Sequence, residues 1–380
     1  MRYSSAVLAR YDGDFHHLKT PLIDAPAAQR DPAVIETVTS MLADIRERGL
    51  DAVLDYARTL DNYQGADIEL TAEQIASSGD RLDPDLRAAI ELGAERTQAF
   101  ARASREHLTD FETEFVPGIV TGAKYIPVSR VGAYLPAGRF PLTASAFMTV
   151  GVAKAAGVPT VIACTPPQPD GGANDAVVYA AHLSGVDRVF VIGGVQALAA
   201  MAYGLLGDLP VDMLVGAGNA FVAEAKRQLF GTVAIDLLAG PSEVAVISDE
   251  TADPVLVAAD LLGQAEHGPN SPAALITTSE EHGHAVIAEI ERQLETLATV
   301  DIAGAAWRDY GVVTVAKDRE TAAALMDDLA PEHLELLTAD DEWYHENLRN
   351  YGSIFLGPWS TVAYSDKGMA GTNHVLPTAG

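Results

Sequence analysis

Two polar side chains three positions apart, Gln264 and His267 in Ala258-Ala-Asp-Leu-Leu-Gly-Gln-Ala-Glu-His267-Gly-Pro-Asn-Ser271, form the first pattern in this sequence able to do chemistry. Leu261, Leu262 and Ala265 repeat at helical spacing and Gly268-Pro269 supplies a stop, so both side chains project from one helix face near its C-terminal end. There they can share one ion or one substrate. Asp366 lies in the glycine-bounded loop Ala363-Tyr-Ser-Asp-Lys-Gly368, and with Gln264 and His267 it would make a mixed N/O set suited to Zn²⁺. Ala330-Pro-Glu-His-Leu-Glu335 predicts a helix start with Pro331 at the first helical position. It sets Glu332 beside His333, a histidine for proton transfer and a carboxylate to orient a water or tune the imidazole. His16-His17 is a weaker pair, since adjacent side chains diverge on a helix or a strand, and a mobile N-terminal segment is expected there.

The elements that must carry these residues change character along the chain. Residues 32 to 112 repeat apolar positions at helical spacing, as in Val34-Ile-Glu-Thr-Val-Thr-Ser-Met-Leu-Ala-Asp-Ile-Arg46, and read as a helical front. From about residue 115, short β-runs each lead through Gly or Pro into a helix. These are Val131-Gly-Ala-Tyr-Leu-Pro-Ala-Gly138, Thr160-Val-Ile-Ala-Cys-Thr165, Arg188-Val-Phe-Val-Ile-Gly-Gly194 and Asp212-Met-Leu-Val-Gly-Ala-Gly-Asn219. Four such units in succession imply a parallel sheet wrapped by helices, in which ligands bind at the carboxyl ends of the strands. Those ends carry Gly193-Gly194 and Gly216-Ala-Gly-Asn219, small residues at helix N-termini where phosphate is favoured, although the full G-x-G-x-x-G signature is missing. A second α/β stretch follows from Ala239-Gly-Pro-Ser-Glu243. The expected fold is α/β, two Rossmann-like parallel-sheet domains with one inserted in the other and a helical N-terminal region. The expected division is an arm at 1–24, a discontinuous domain of 25–130 plus 242–380 carrying the metal and acid/base residues, and an inserted domain at 131–241.

The composition narrows the classes of partner. The 380 residues are 48% hydrophobic and carry a net charge of −28, with a mean hydropathy of +0.10 and a pI near 4.5. A charge of that sign repels nucleic acid and anionic membranes alike. No apolar run of roughly 18 residues appears and the N-terminus does not read as a signal peptide, so a cytoplasmic location is expected. The single cysteine, Cys164, sits in an apolar run and reads as core filler rather than a nucleophile.

Taken together, Val131–Gly138, Ile192-Gly-Gly-Val-Gln-Ala-Leu-Ala-Ala-Met-Ala202, Gly216–Ala220, Ala239–Glu243, Gln264-Ala-Glu-His-Gly-Pro269, Pro331-Glu-His-Leu334 and Gly371-Thr-Asn-His-Val-Leu-Pro-Thr378 resemble the histidinol dehydrogenase family, in that family's order and over nearly the whole chain. The resemblance implies a zinc-bearing homodimer that oxidises a primary alcohol to a carboxylate in two NAD-dependent hydride transfers through an enzyme-held aldehyde. It implies Gln264, His267 and Asp366 as zinc ligands and Glu332 and His333 as the acid/base pair. It further implies Tyr134, Gln196 and Asn219 as NAD contacts, and Ser242 together with His333 at the substrate. His333 would remove the hydroxyl proton as hydride leaves, and Glu332 would activate the water that hydrates the aldehyde. Family members continue past the Asn-His-Val-Leu-Pro-Thr motif into a segment supplying a fourth zinc-ligand histidine and a substrate-contacting glutamate to the partner subunit; this sequence ends at Gly380.

Arg139-Phe-Pro-Leu-Thr-Ala-Ser-Ala-Phe-Met148 and Asn219–Phe230 look more like the sulfopropanediol dehydrogenase branch than like enzymes of histidine biosynthesis. The expected substrate is accordingly a small polar alcohol such as a sulfonated diol, 2,3-dihydroxypropane-1-sulfonate, with L-histidinol as the alternative. Arg139, just after the Pro-Ala-Gly turn, is the candidate for the anionic end of the substrate. From other classes, a metal-dependent hydrolase using the same ligands with Glu332 as base, and an inactive homologue, stay open.

Overall fold

The computed structural model describes residues 11, 13–23, 31–65, 67–137, 141–169, 171–207, 209–238, 240–366 and 368. Two compact units emerge, Arg30–Leu238 with Ser365–Val375, and Met1–Gln29 with Ala239–Tyr364 and Leu376–Gly380. One unit is therefore inserted in the chain of the other, as expected, but the boundary differs. The helical front belongs with the inserted sheet and not with the C-terminal half.

The chain enters with β1 (Phe15–Lys19), and the inserted unit follows with α1 (Pro32–Arg48), α2 (Leu50–Leu60), α3 (Ala72–Ala76) and α4 (Pro84–Glu106). Asp31-Pro32 and Asp83-Pro84 start two of these helices by one device. The aspartate accepts from the first free backbone N–H groups, and proline fills the first turn where no N–H is needed. An exposed hairpin, β2 (Phe111–Val116) and β3 (Ile119–Ala123), precedes β4 (Arg130–Tyr134). Next come α5 (Thr143–Ala146), a π-helical turn at Phe147–Gly151 and α6 (Val152–Ala155). The unit closes with β5 (Thr160–Thr165), α7 (Asp175–Leu183), β6 (Arg188–Val191), α8 (Gly194–Tyr203), β7 (Met213–Val215), α9 (Ala220–Leu229) and β8 (Ala234–Ile235).

The five strands pair in the order β6-β5-β4-β7-β8, all parallel. Alternate side chains feed two cores. Tyr134, Ile162, Cys164, Phe190 and Leu214 face one; Val131, Ala133, Val161, Ala163 and Val189 face the other. A sheet buried on both faces needs helices on both, and this explains the shifted boundary. Val38, Met41 and Ile45 of α1 and Val53 of α2 complete the first core, while Ile90 and Ala94 of α4 complete the second against Phe147. Cys164 is core filler, as read from the sequence, and burial pushes its thiol up.

The outer unit continues with β9 (Val244–Ser248), α10 (Pro254–Ala265), β10 (Ala273–Thr277), α11 (Glu280–Leu294), α12 (Val300–Tyr310), β11 (Val312–Ala316), α13 (Arg319–Leu329), β12 (His333–Leu337), α14 (Asp341–Asn347) and β13 (Ser353–Leu356), and α15 (Val362–Asp366) begins in it and ends, at Ser365 and Asp366, in the stretch that belongs with the inserted unit. Its sheet runs β1-β11-β10-β9-β12-β13, parallel except for β1. The stretch around His16-His17 is thus an antiparallel edge strand and not a mobile arm, with His17 Nδ1 3.0 Å from Thr314 Oγ1. Its partner lies almost 300 residues away, beyond any local signal.

A second expectation also fails. Helix α13 ends at Leu329, Ala330 turns left-handed at φ 48°, and the residues from His333 form a strand. Pro331 follows a helix instead of opening one. Asp366, expected in a loop, is the last residue of the short helix α15.

Candidate active site

Seen from the strand order, both sheets reverse direction once. In the outer unit this happens between β9 and β12, from which connections run outward to either side. Glu332 and His333 lie there, but at the amino-terminal edge. His333 is the first residue of β12 and pairs with Val244, the first of β9. Helix α10 runs back to the same edge before β10, so Gln264 and His267 also precede a strand adjacent to β9. Ser242, Gln264–His267 and Glu332-His333 therefore lead into three neighbouring strands. The general rule favouring carboxyl ends does not anticipate this.

Glu243, to which no role was given on sequence, ties the pair together. Its backbone N–H donates to Glu332 Oε2 at 3.1 Å, and its own Oε1 accepts from the backbone N–H of Glu332 at 3.3 Å. Its carbonyl oxygen lies 3.0 Å from His333 Nδ1. A carbonyl can only accept, so Nδ1 carries the proton, and Nε2 is the basic nitrogen of the neutral ring. The Glu332 carboxylate stands 3.6 Å from Nδ1. His333 is only 3% exposed, and the ring of Phe355 lies 6.3 Å from it, centroid to centroid. Ser242, immediately before this clamp, is half-buried. The arrangement holds one imidazole tautomer in place and keeps a carboxyl group beside it, an arrangement suited to a general base.

Gln264 is 2% exposed, and neither its amide oxygen nor its amide nitrogen has a partner among the described residues. An unsatisfied buried amide costs about 1–3 kcal/mol, so its retention fits a group still to be bound. His267 follows the helix end, its N–H donating to Gln264 O at 3.1 Å, and its side chain is exposed. Among the described residues no three of His, Cys, Asp and Glu are arranged to hold a metal. A metal here would depend on the Gln264 amide. One turn before Gln264, Asp260 accepts from Thr361 Oγ1 at 3.0 Å and hydrogen-bonds the carboxyl of Glu335. Glu335 in turn accepts from Val362 N–H at 3.0 Å, at the start of α15. Burial, and then the neighbouring Asp260 charge, hold the fully buried Glu335 carboxyl well above the ordinary range.

In the inserted unit the reversal falls between β4 and β7. Tyr134 ends β4, and Gly216–Asn219 follows β7, so the carboxyl-end rule holds here. Gly216 has φ 117°, and a Cβ on it would stand 2.3 Å from the Tyr134 carbonyl oxygen. Only glycine lets the turn pass so close. Asn219 caps α9, its Oδ1 accepting from Phe221 and Val222 N–H at 3.0 and 3.1 Å. Tyr134 Oη accepts from Gly194 N–H at 3.2 Å, and burial pushes its phenol up to about 12.

The Gly193-Gly194 turn differs from its reading as a phosphate site. The N–H of Gly193 and Nε2 of Gln196 both donate to Asp61 Oδ2 at 2.9 Å, so the protein's own carboxylate serves this turn. Desolvation holds Asp61 above its ordinary value, its two hydrogen bonds opposing the shift. Asp61 closes α2, 132 residues upstream, and sequence reasoning missed it. Arg139 and the motif Gly371–Thr378 lie outside the described residues.

A buried histidine with a fixed tautomer beside a carboxylate, and a second parallel sheet with a glycine turn at its reversal point, define a two-unit α/β enzyme. The sequence profile of the family described as "Histidinol dehydrogenase" matches residues 25–380. A "Histidinol dehydrogenase homolog" of Shouchella clausii (strain KSM-K16) is 48% identical over 345 residues, 91% of this chain and 81% of that one. A "Sulfopropanediol 3-dehydrogenase" of Ruegeria pomeroyi is 48% identical over 349 residues, 91% of this chain and 80% of that one. The crystal structure of histidinol dehydrogenase from Elizabethkingia anophelis superposes with a TM-score of 0.88 at 32% identity, covering 96% of this chain and 86% of that one. The chain belongs to the histidinol dehydrogenase family and is an oxidoreductase. No helix of the described residues is long and apolar enough to cross a membrane.

Proposed function

We propose that this protein is an NAD-dependent, zinc-containing dehydrogenase that oxidises a small polar primary alcohol, 2,3-dihydroxypropane-1-sulfonate or a close analogue, to the carboxylate through the aldehyde. The observation that carries the chemistry is the bond from His333 Nδ1 to the Glu243 carbonyl, which directs the basic Nε2 to its task. The choice of substrate is supported by the relative named sulfopropanediol 3-dehydrogenase.

NAD, when bound, takes up a hydride in each half of the reaction. Tyr134, Gln196 and Asn219 would contact it. Zinc, when bound, would polarise or anchor the substrate oxygen, with Gln264, His267 and Asp366 to hold it; the partnerless amide of Gln264 fits that use. His333 Nε2 accepts the hydroxyl proton as the hydride departs, and the Glu332 carboxylate, 3.6 Å from Nδ1, favours the cation so formed. In the second half Glu332 activates the water that hydrates the aldehyde, and the gem-diol loses its proton and hydride as the alcohol did. Ser242 meets the substrate and Arg139 its sulfonate. The enzyme is read as a cytoplasmic homodimer, which light scattering tests.

The direct assay is NADH formation with 2,3-dihydroxypropane-1-sulfonate and with L-histidinol. Two NADH per alcohol with the sulfonate, and a higher kcat/KM for it, are expected. A higher kcat/KM for L-histidinol would make the biosynthetic reaction the better reading.

A further inference from the structure

We infer that Lys226 and Asp236 are positioning residues for the cofactor: a buried ion pair that grips Gly216 by both of its backbone polar groups, and with them the two peptide planes that flank it, and so sets the turn Gly216–Asn219. The inference rests on reading that turn as the nucleotide site.

Val215 is the last residue of β7 paired with β4, and Leu214 the last paired with β8, so Gly216 leaves the ladder on both sides while still buried. Its N–H and C=O need partners from elsewhere. The N–H donates to Asp236 Oδ2 at 2.7 Å, and the carbonyl accepts from Lys226 Nζ at 2.9 Å. Lys226 and Asp236 pair with each other, their side chains 4% and 1% exposed. Asp236 Oδ1 also accepts from Leu237 N–H at 2.7 Å. The two peptide groups flanking the Gly216 Cα are therefore clamped between α9 and the segment following β8.

Two neutral partners could satisfy the same backbone N–H and C=O without the desolvation that a buried ion pair incurs, so stability alone does not call for charges here. Charges with fixed polarity impose one orientation, N–H toward the carboxylate and C=O toward the ammonium. Gly216 cannot hold itself. It has no side chain and tolerates none, because a Cβ would meet the Tyr134 carbonyl. Beyond it, Gly218 and Asn219 are exposed at the start of α9. The orientation of the backbone at Gly216 thus decides where these exposed residues present themselves to a dinucleotide. Lys226 is buried and acts through the carbonyl it holds.

The test compares the wild-type enzyme with Asp236→Asn and with the double variant Lys226→Gln/Asp236→Asn, whose amides fill the same space without an uncompensated charge. Binding of ADP-ribose and NAD is measured by calorimetry, alongside the melting temperature and steady-state kinetics. The expected result is at least tenfold weaker ADP-ribose and NAD binding in both, a matching rise in KM for NAD, and a kcat at saturating NAD and a KM for the alcohol within about threefold of wild type. Lys226→Arg, which keeps the pair, should recover most of the affinity. A double variant that melts earlier yet binds ADP-ribose as wild type does would reduce the pair to a structural one and overturn the inference. Absence of NAD and ADP-ribose binding in the wild-type enzyme would instead remove the reading on which it rests.

Discussion

Replacing His333 by Asn separates chemistry from structure at this site. The Asn amide nitrogen can occupy the place of Nδ1 and keep the 3.0 Å bond to the Glu243 carbonyl, while nothing remains at the position of Nε2. Losing that bond would leave a buried carbonyl unpaired, at about 1–3 kcal/mol, so an alanine variant would mix instability with lost catalysis. A positioned general base contributes about 10²–10⁴ in rate. At about 1.4 kcal/mol per decade this is roughly 3–5.5 kcal/mol of barrier. His333→Asn should therefore lose 10²–10⁴ in kcat, and the acid limb of the kcat/KM profile should flatten. Its affinity for NAD should not change, because the residues proposed to contact NAD, Tyr134, Gln196 and Asn219, belong to the inserted unit and His333 to the outer one. The assay is NADH formation across pH, with calorimetry for NAD and a thermal melt of the same preparation. A folded variant with kcat within threefold of wild type would refute the assignment of Nε2 as the base.

Gln264→Leu removes an amide with no described partner, so the metal-free variant should melt no lower than wild type, or higher by up to about 1–3 kcal/mol of added stability. The stabilisation produced by adding zinc should vanish; a preserved zinc shift would count against the ligand role. Glu335 has a carboxyl raised in the folded state, so the folded chain holds a proton that the unfolded chain releases. The stability this supplies is fully present below about pH 4, the unfolded carboxylate value, and is lost as pH rises through the folded one. In urea unfolding, the stability difference between wild type and Glu335→Gln should shrink from pH 4 to pH 8, and a flat difference would contradict the shared proton. Gly216→Ala drives a Cβ to within 2.3 Å of a backbone oxygen at φ 117°, and a loss on the order of 3 kcal/mol is expected, seen as a fall in denaturation midpoint; an unchanged midpoint would show that the turn relaxes freely.

What the sequence by itself determined lies within a few residues of each signal. Asp31-Pro32 and Asp83-Pro84 mark helix starts, because cap and proline act on adjacent backbone groups. The four strand–turn–helix units and the Gln264–His267 helix end were legible for the same reason, since periodicity and glycine stops are local. Glu332-His333 was identifiable as a pair, but not as the start of a strand. Pro331 suits a helix start locally, and only the pairing of His333 with Val244 and Ser353 settles the matter. The tertiary structure alone decided that Phe15–Lys19 is an edge strand, that α1 to α4 cover the inserted sheet, and that Glu332-His333 sits at the amino edge of its sheet. It alone revealed Glu243 behind His333, Asp61 behind Gly193, Asp236 behind Gly216 and Glu335 behind Asp260. All of these are carboxylates in a chain with 53 of them, where local context cannot tell a solvated one from a buried one. The distinction comes from partners as far as 135 residues away, which only the folded chain brings within hydrogen-bonding distance.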